Sequence, residues 1–117
     1  MKMIKIAIKA TLGLVLVGSS VFAQSLTDAK KAIDAEQYQK SKTILKGLIK
    51  TQPANAENYF YLGNVYLKTD YIDSAKMTFT KGVSANALFP LNYVGLGSVE
   101  LSSANANPKA NFDKALS

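Results

Sequence analysis

Ala56-Glu-Asn-Tyr-Phe-Tyr-Leu-Gly-Asn-Val-Tyr66, Leu67-Lys-Thr-Asp-Tyr-Ile-Asp73 and Ser74-Ala-Lys-Met-Thr-Phe-Thr-Lys-Gly82 follow one another without a gap, and their reading decides the fold. Tyr59, Leu62 and Tyr66 stand at i, i+3 and i+7 with the small Gly63 beside them; after a polar break the pattern resumes at Ala75, Phe79 and Gly82. That spacing predicts two amphipathic helices joined by a tight turn. A glycine inside a helix costs about 1 kcal/mol relative to alanine, so Gly63 calls for a compensating contact. Close approach of the second helix at Ala75 supplies one, with Phe79, four residues further on, filling the space around it.

Shifting the sequence by 34 residues carries Tyr59, Leu62 and Gly63 onto Tyr93, Leu96 and Gly97, an identical triplet. The opposite shift carries Ala75 and Phe79 onto Ser41 and Leu45, Ala87 onto Pro53 and Gly63 onto Ala29, a weaker set of the same size classes. The chain therefore reads as a repeat of period 34 with a degenerate first copy.

Tyr59-x2-Leu62-Gly63-x2-Tyr66 followed by Ala75-x3-Phe79 resembles the tetratricopeptide repeat (TPR), with Tyr59 where that family often has tryptophan. The resemblance runs from Ser25 to Leu116 and is strongest between Asn58 and Gly97. It implies an all-α fold of three antiparallel helix pairs stacked as a right-handed superhelix, an α-solenoid, with repeats at about 24–54, 56–89 and 90–117. It also implies that Tyr59, Tyr66 and Tyr93 are packing residues, and that a concave surface formed by the first helices serves recognition.

Residues 1–23 read as a targeting segment. Lys2, Lys5 and Lys9 give a positive start, Ala10 to Val17 is apolar apart from Thr11, and Val21-Phe22-Ala23 ends the segment with residues suited to a cleavage site. This is the pattern of a secretory signal peptide, with Gln24 as the first mature residue and the periplasm or the exterior as the destination. A membrane anchor is the other reading, but the uncharged stretch reaches spanning length only by counting several polar residues. No cysteine follows the segment to carry a lipid.

Cleavage leaves 94 residues and, with those three lysines gone, a net charge of +3 rather than +6. That length suffices for one small domain, and without cysteine it is held by packing alone.

Helix boundaries follow from local chemistry. Ser25 is expected to cap the first helix, with Asp28 in its first turn and Ala29, Ala32 and Ile33 on its apolar stripe. The polar run from Asp34 to Gln37 ends it. Tyr38, Ser41, Leu45, Leu48 and Ile49 define a second helix with Lys40, Lys42, Lys46 and Lys50 on its polar side, stopping near Thr51 because Pro53 bars helical geometry at Gln52. Asn55 and Asp70 are expected to cap the third and fourth helices. Pro90 starts a fifth helix running to about Ser102, Ser103 to Asn107 form a turn, and Pro108 opens a sixth helix carrying Phe112, Ala115 and Leu116.

The sequence stops where that sixth helix would present an apolar face without a polar cap. The favoured reading is a truncated array, which the reading frame beyond Ser117 would test; the other is a face covered by a partner or by a second copy through self-association.

Catalysis finds little support. The chain has no histidine and no cysteine, which removes the commonest general base, the thiol nucleophile and the soft metal ligands. Asp70 and Asp73 are read as helix N-terminal charge, since a hard-cation site needs several converging oxygens, and no glycine-rich phosphate loop is present. The chain is thus expected to be no enzyme and to carry no cofactor. The lysines of the second helix are interleaved with polar residues and the chain has no arginine, so nucleic acid is not an expected partner, nor is a membrane surface.

What remains is recognition of protein. In TPR domains that capture acidic chaperone tails, a clamp of Lys, Asn and Arg lines the concave surface. The matching positions here hold Phe60, Asn64, Leu91 and Gly95, so the clamp is missing. Phe60, Tyr61, Asn64, Leu67 and Lys68, extended by Val94, Ser98 and Leu101, form the candidate groove, suited to a peptide or protein segment with apolar side chains. The other reading places these repeats at the front of a longer cell-envelope protein whose activity lies downstream.

Overall fold

A computed structural model describes residues 24–106, with side chains to Asn105. The segments read as signal peptide and as sixth helix lie outside the described residues. Within them the chain is all helical: α1 (Leu26–Asp34), α2 (Tyr38–Thr51), α3 (Ala56–Lys68), α4 (Ile72–Ala85) and α5 (Leu91–Ala106). The links are short, so each helix turns back along the one before it. Consecutive helices pack together, most extensively α3 with α4, and α3 also touches both α1 and α5.

Ser25 caps α1 as expected, through a reciprocal pair: its backbone N–H donates to the Asp28 carboxylate at 2.8 Å, and its Oγ accepts from the Asp28 N–H at 3.3 Å. Asn55 caps α3, its Oδ1 accepting from the Glu57 N–H at 3.2 Å. α2 ends at Thr51. Pro90 precedes α5, and its carbonyl accepts from the N–H groups of Tyr93 and Val94.

Asp70 does not cap α4. It sits at φ 64°, and Tyr71 occupies the cap position without a side-chain hydrogen bond. The reason is the end of α3: the N–H of Tyr71 reaches the Tyr66 carbonyl and that of Asp70 the Leu67 carbonyl, which closes the helix with a left-handed residue at Asp70. The same turn ends α1, where Gln37 bonds to Ala32 and Glu36 to Ile33, with Glu36 at φ 57°. These two turns lie 34 residues apart. At the next position in that register stands Ala104, and there the helix simply continues: α5 runs on to Ala106 rather than turning at Ser103. Alanine is a poor left-handed residue and a good helix former, and Ser98 and Ser102 turn their hydroxyls back onto the carbonyls of Val94 and Ser98.

Two apolar clusters meet at α3. Ala29, Ile44, Leu45, Leu62 and Val65 form the first, joining α1, α2 and α3. Ala75, Phe79 and Val99 form the second, joining α4 and α5 to the other side of α3 through Phe60 and Leu67. Tyr66 packs against both. Tyr59 is buried and donates its hydroxyl to the Pro53 carbonyl at 2.8 Å, which ties α3 to the link before it.

What lies nearest Gly63 is Phe79 rather than Ala75. A Cβ there would enter the Phe79 ring, and so would a Cβ at Gly95 on α5, so the ring is held between two glycines on two helices. Gly97 is exposed, with open space where its side chain would be, and Tyr93 is half exposed rather than in the core. The buried face of α5 is instead Asn92, Gly95 and Val99, with Leu96 half buried. Gly95 and Gly97 project about 200° apart on a helix, so contact with α3 and α4 through one leaves the other outside.

Candidate functional site

Tyr61, Asn64 and Lys68 recur along one side of α3, and the structure brings them together with Lys30, Ile33 and Asp34 of α1 around a slot of about 190 Å³. The helix spacing places this side opposite the Tyr59, Leu62 and Tyr66 stripe, so α3 packs with one face and lines the slot with the other. Lys30 reaches across: its Nζ lies 4.7 Å from the centroid of the Tyr61 ring and 3.8 Å from Glu57 Oε1. Hydrogen bonding to Tyr61 and, less strongly, the charge of Glu57 hold the Lys30 ammonium above its ordinary value. The slot therefore has an aromatic wall, one amide and charges of both signs.

Phe60 and Leu67 are placed differently. Both are half buried against the second cluster. The Phe60 ring meets Tyr61 edge-on at 5.2 Å, Phe79 at 6.3 Å and Phe89 at 6.5 Å. They lie off the stripe of α3 that faces α2, as their spacing implies, yet they pack on the stripe that faces α4 and α5. Val94 and Leu101 are exposed on α5, with Ser98 half buried between them. Their spacing puts them on one side of that helix.

Sequence reasoning passed over Lys30, Ile33 and Asp34. The signal was the repeat itself, because a shift of 34 carries Asn64 onto Lys30 and Lys68 onto Asp34. It also placed Lys42 on a solvated face. Lys42 is in fact buried, with its Nζ 5.2 Å from the Tyr66 ring centroid and 4.6 Å from that of Tyr71, the two rings meeting edge-on at 6.3 Å. The four-methylene stem of a lysine lets its ammonium reach such a site from a polar helix face.

Among the described residues no group of three His, Cys, Asp or Glu side chains could hold a metal ion, and no helix is long and apolar enough to cross a membrane. No family model matches the chain, and no curated protein or solved structure matches it.

Proposed function

We propose that the chain is an exported TPR-like module, non-enzymatic, that binds a peptide or protein segment along the side formed by α1, α3 and α5. The observation that carries this reading is the slot in which Tyr61, Asn64 and Lys68 meet α1 residues. An aromatic wall beside polar and charged groups is the composition of a protein-binding surface, and the exposed Val94 and Leu101 on α5 offer apolar contact area. The 34-residue recurrence of two helix-ending turns, at Glu36 and Asp70, supports a stacked-repeat arrangement.

The test is a pull-down from a cell-envelope extract with the parent protein and the variant Lys68→Glu, Val94→Ser, Leu101→Ser. All three side chains are exposed, so helicity and melting temperature are expected to hold while captured partners are lost. Retention of every partner by the variant would remove recognition from this side of the molecule.

A further inference from the structure

A second concavity lies on the opposite side of α3. Its floor is Tyr59 and Tyr66, its walls are Ile49 of α2 and Met77 of α4, and Lys46 and Lys81 stand on the two flanking helices. The lining contains two lysines and no carboxylate. Neither lysine forms an ion pair among the described residues, where Lys30 with Glu57 is the pair observed. The floor is fixed in advance: Tyr59 is tied to the Pro53 carbonyl, and Tyr66 is held by Lys42 and Tyr71. Thr78 donates its hydroxyl to the Ser74 carbonyl at 2.7 Å, so that wall hydroxyl is already engaged. Met77, 60% exposed, stands at the mouth as a flexible apolar flank.

The volume is about 270 Å³, just below what small-molecule sites enclose and enough for one large side chain. A single apolar socket flanked by cations calls for an occupant with one apolar anchor between negative charges. We propose that the groove between α2 and α4 docks an acidic peptide segment, which lays one large apolar side chain on the Tyr59 and Tyr66 floor and sets carboxylates against Lys46 and Lys81.

The experiment uses the full chain and fluorescein-labelled synthetic peptides followed by anisotropy: one with a phenylalanine between paired glutamates, one with serine in place of the phenylalanine, and one with lysines in place of the glutamates. The parent is expected to prefer the first peptide over either other by about tenfold, and to lose that preference as salt rises. The double variant Lys46→Glu, Lys81→Glu alters two exposed side chains and is expected to reverse the charge preference, taking up the lysine-flanked peptide. Lys76→Glu, an exposed lysine of α4 that lines neither this groove nor the slot facing α1, is expected to leave the peptide preference unchanged, which ties the effect to this groove. Equal binding of all three peptides, or an unchanged preference in the double variant, would each overturn the proposal.

Discussion

The ring of Phe79 occupies the space that a side chain at Gly63 would fill, and the backbone of Gly95 closes over the same ring from α5. Phe79 is fully buried, so neither glycine can gain a methyl group without moving a ring that has nowhere to go. Gly63→Ala and Gly95→Ala are each expected to cost about 1–3 kcal/mol through overpacking, against their better helix propensity. Gly97 and Gly47 have open space around them, and Gly97→Ala or Gly47→Ala should gain up to about 1 kcal/mol from propensity alone. Thermal unfolding followed by circular dichroism separates the pairs. A Gly95→Ala variant melting above the parent would contradict the placement of Phe79.

Glu36 and Asp70 carry left-handed backbone without being glycine. That conformation costs an ordinary residue such as Glu36 about 1–2 kcal/mol and an aspartate such as Asp70 less, and both side chains are exposed with no packing role to lose. Glu36→Gly and Asp70→Gly are expected to raise the melting temperature by a few degrees each, relief of strain exceeding the added flexibility of the unfolded chain. The two effects should add, because the turns are separate. A lower melting point for either variant would mean that the carboxylate itself supports its turn.

Much of this architecture was legible from spacing. Apolar residues at helical intervals marked the helices, and Ser25, Asn55 and Pro53 marked three boundaries, because capping and proline effects act over a few residues. The second core was harder to see. α5 is apolar around most of its circumference, so its pattern does not say which face is inward, and the identical triplet Tyr93, Leu96, Gly97 pointed to a face that the structure leaves largely exposed. The residue that closes on Phe79 is Gly95, two positions earlier. Phe60 and Leu67 were hidden for a related reason: α3 packs against helices on both sides, and a single-stripe reading assigns the second stripe to the surface. Lys42 was hidden because its partners, Tyr66 and Tyr71, are distant in sequence.

Lys42 gives its own prediction. Its ammonium lies over two aromatic faces and its stem is buried, an arrangement whose electrostatic part is worth about 0.5–2 kcal/mol. Lys42→Met keeps the stem and removes the charge, and is expected to destabilise by that amount. Lys42→Arg should keep most of the stability. Urea unfolding of the three proteins measures the difference, and a Lys42→Met variant as stable as the parent would assign the site to packing alone.

Acid should loosen the start of α1 before the rest of the molecule. The Asp28 carboxylate accepts from the backbone N–H of Ser25 and, at 3.2 Å, from its hydroxyl; the backbone bond chiefly, and the hydroxyl after it, hold its pKa below the ordinary 3.8. A carboxylate with a lowered pKa in the folded state adds stability that is fully present above 3.8 and disappears as pH falls through the folded value. At neutral pH the cap is therefore intact, and its loss is confined to pH below the usual aspartate range. Titration of the Asp28 carboxyl carbon by NMR is expected to show a midpoint under 3.8, with faster exchange of the first amide protons of α1 over the same interval. Ser25→Ala removes the hydroxyl but leaves the backbone donor, so its midpoint should rise only part of the way. Asp28→Asn should abolish the acid dependence of exchange in α1 while leaving α3 and α4 unaffected. A midpoint at or above the ordinary value would mean that the reciprocal Ser25 and Asp28 pair is not formed in solution.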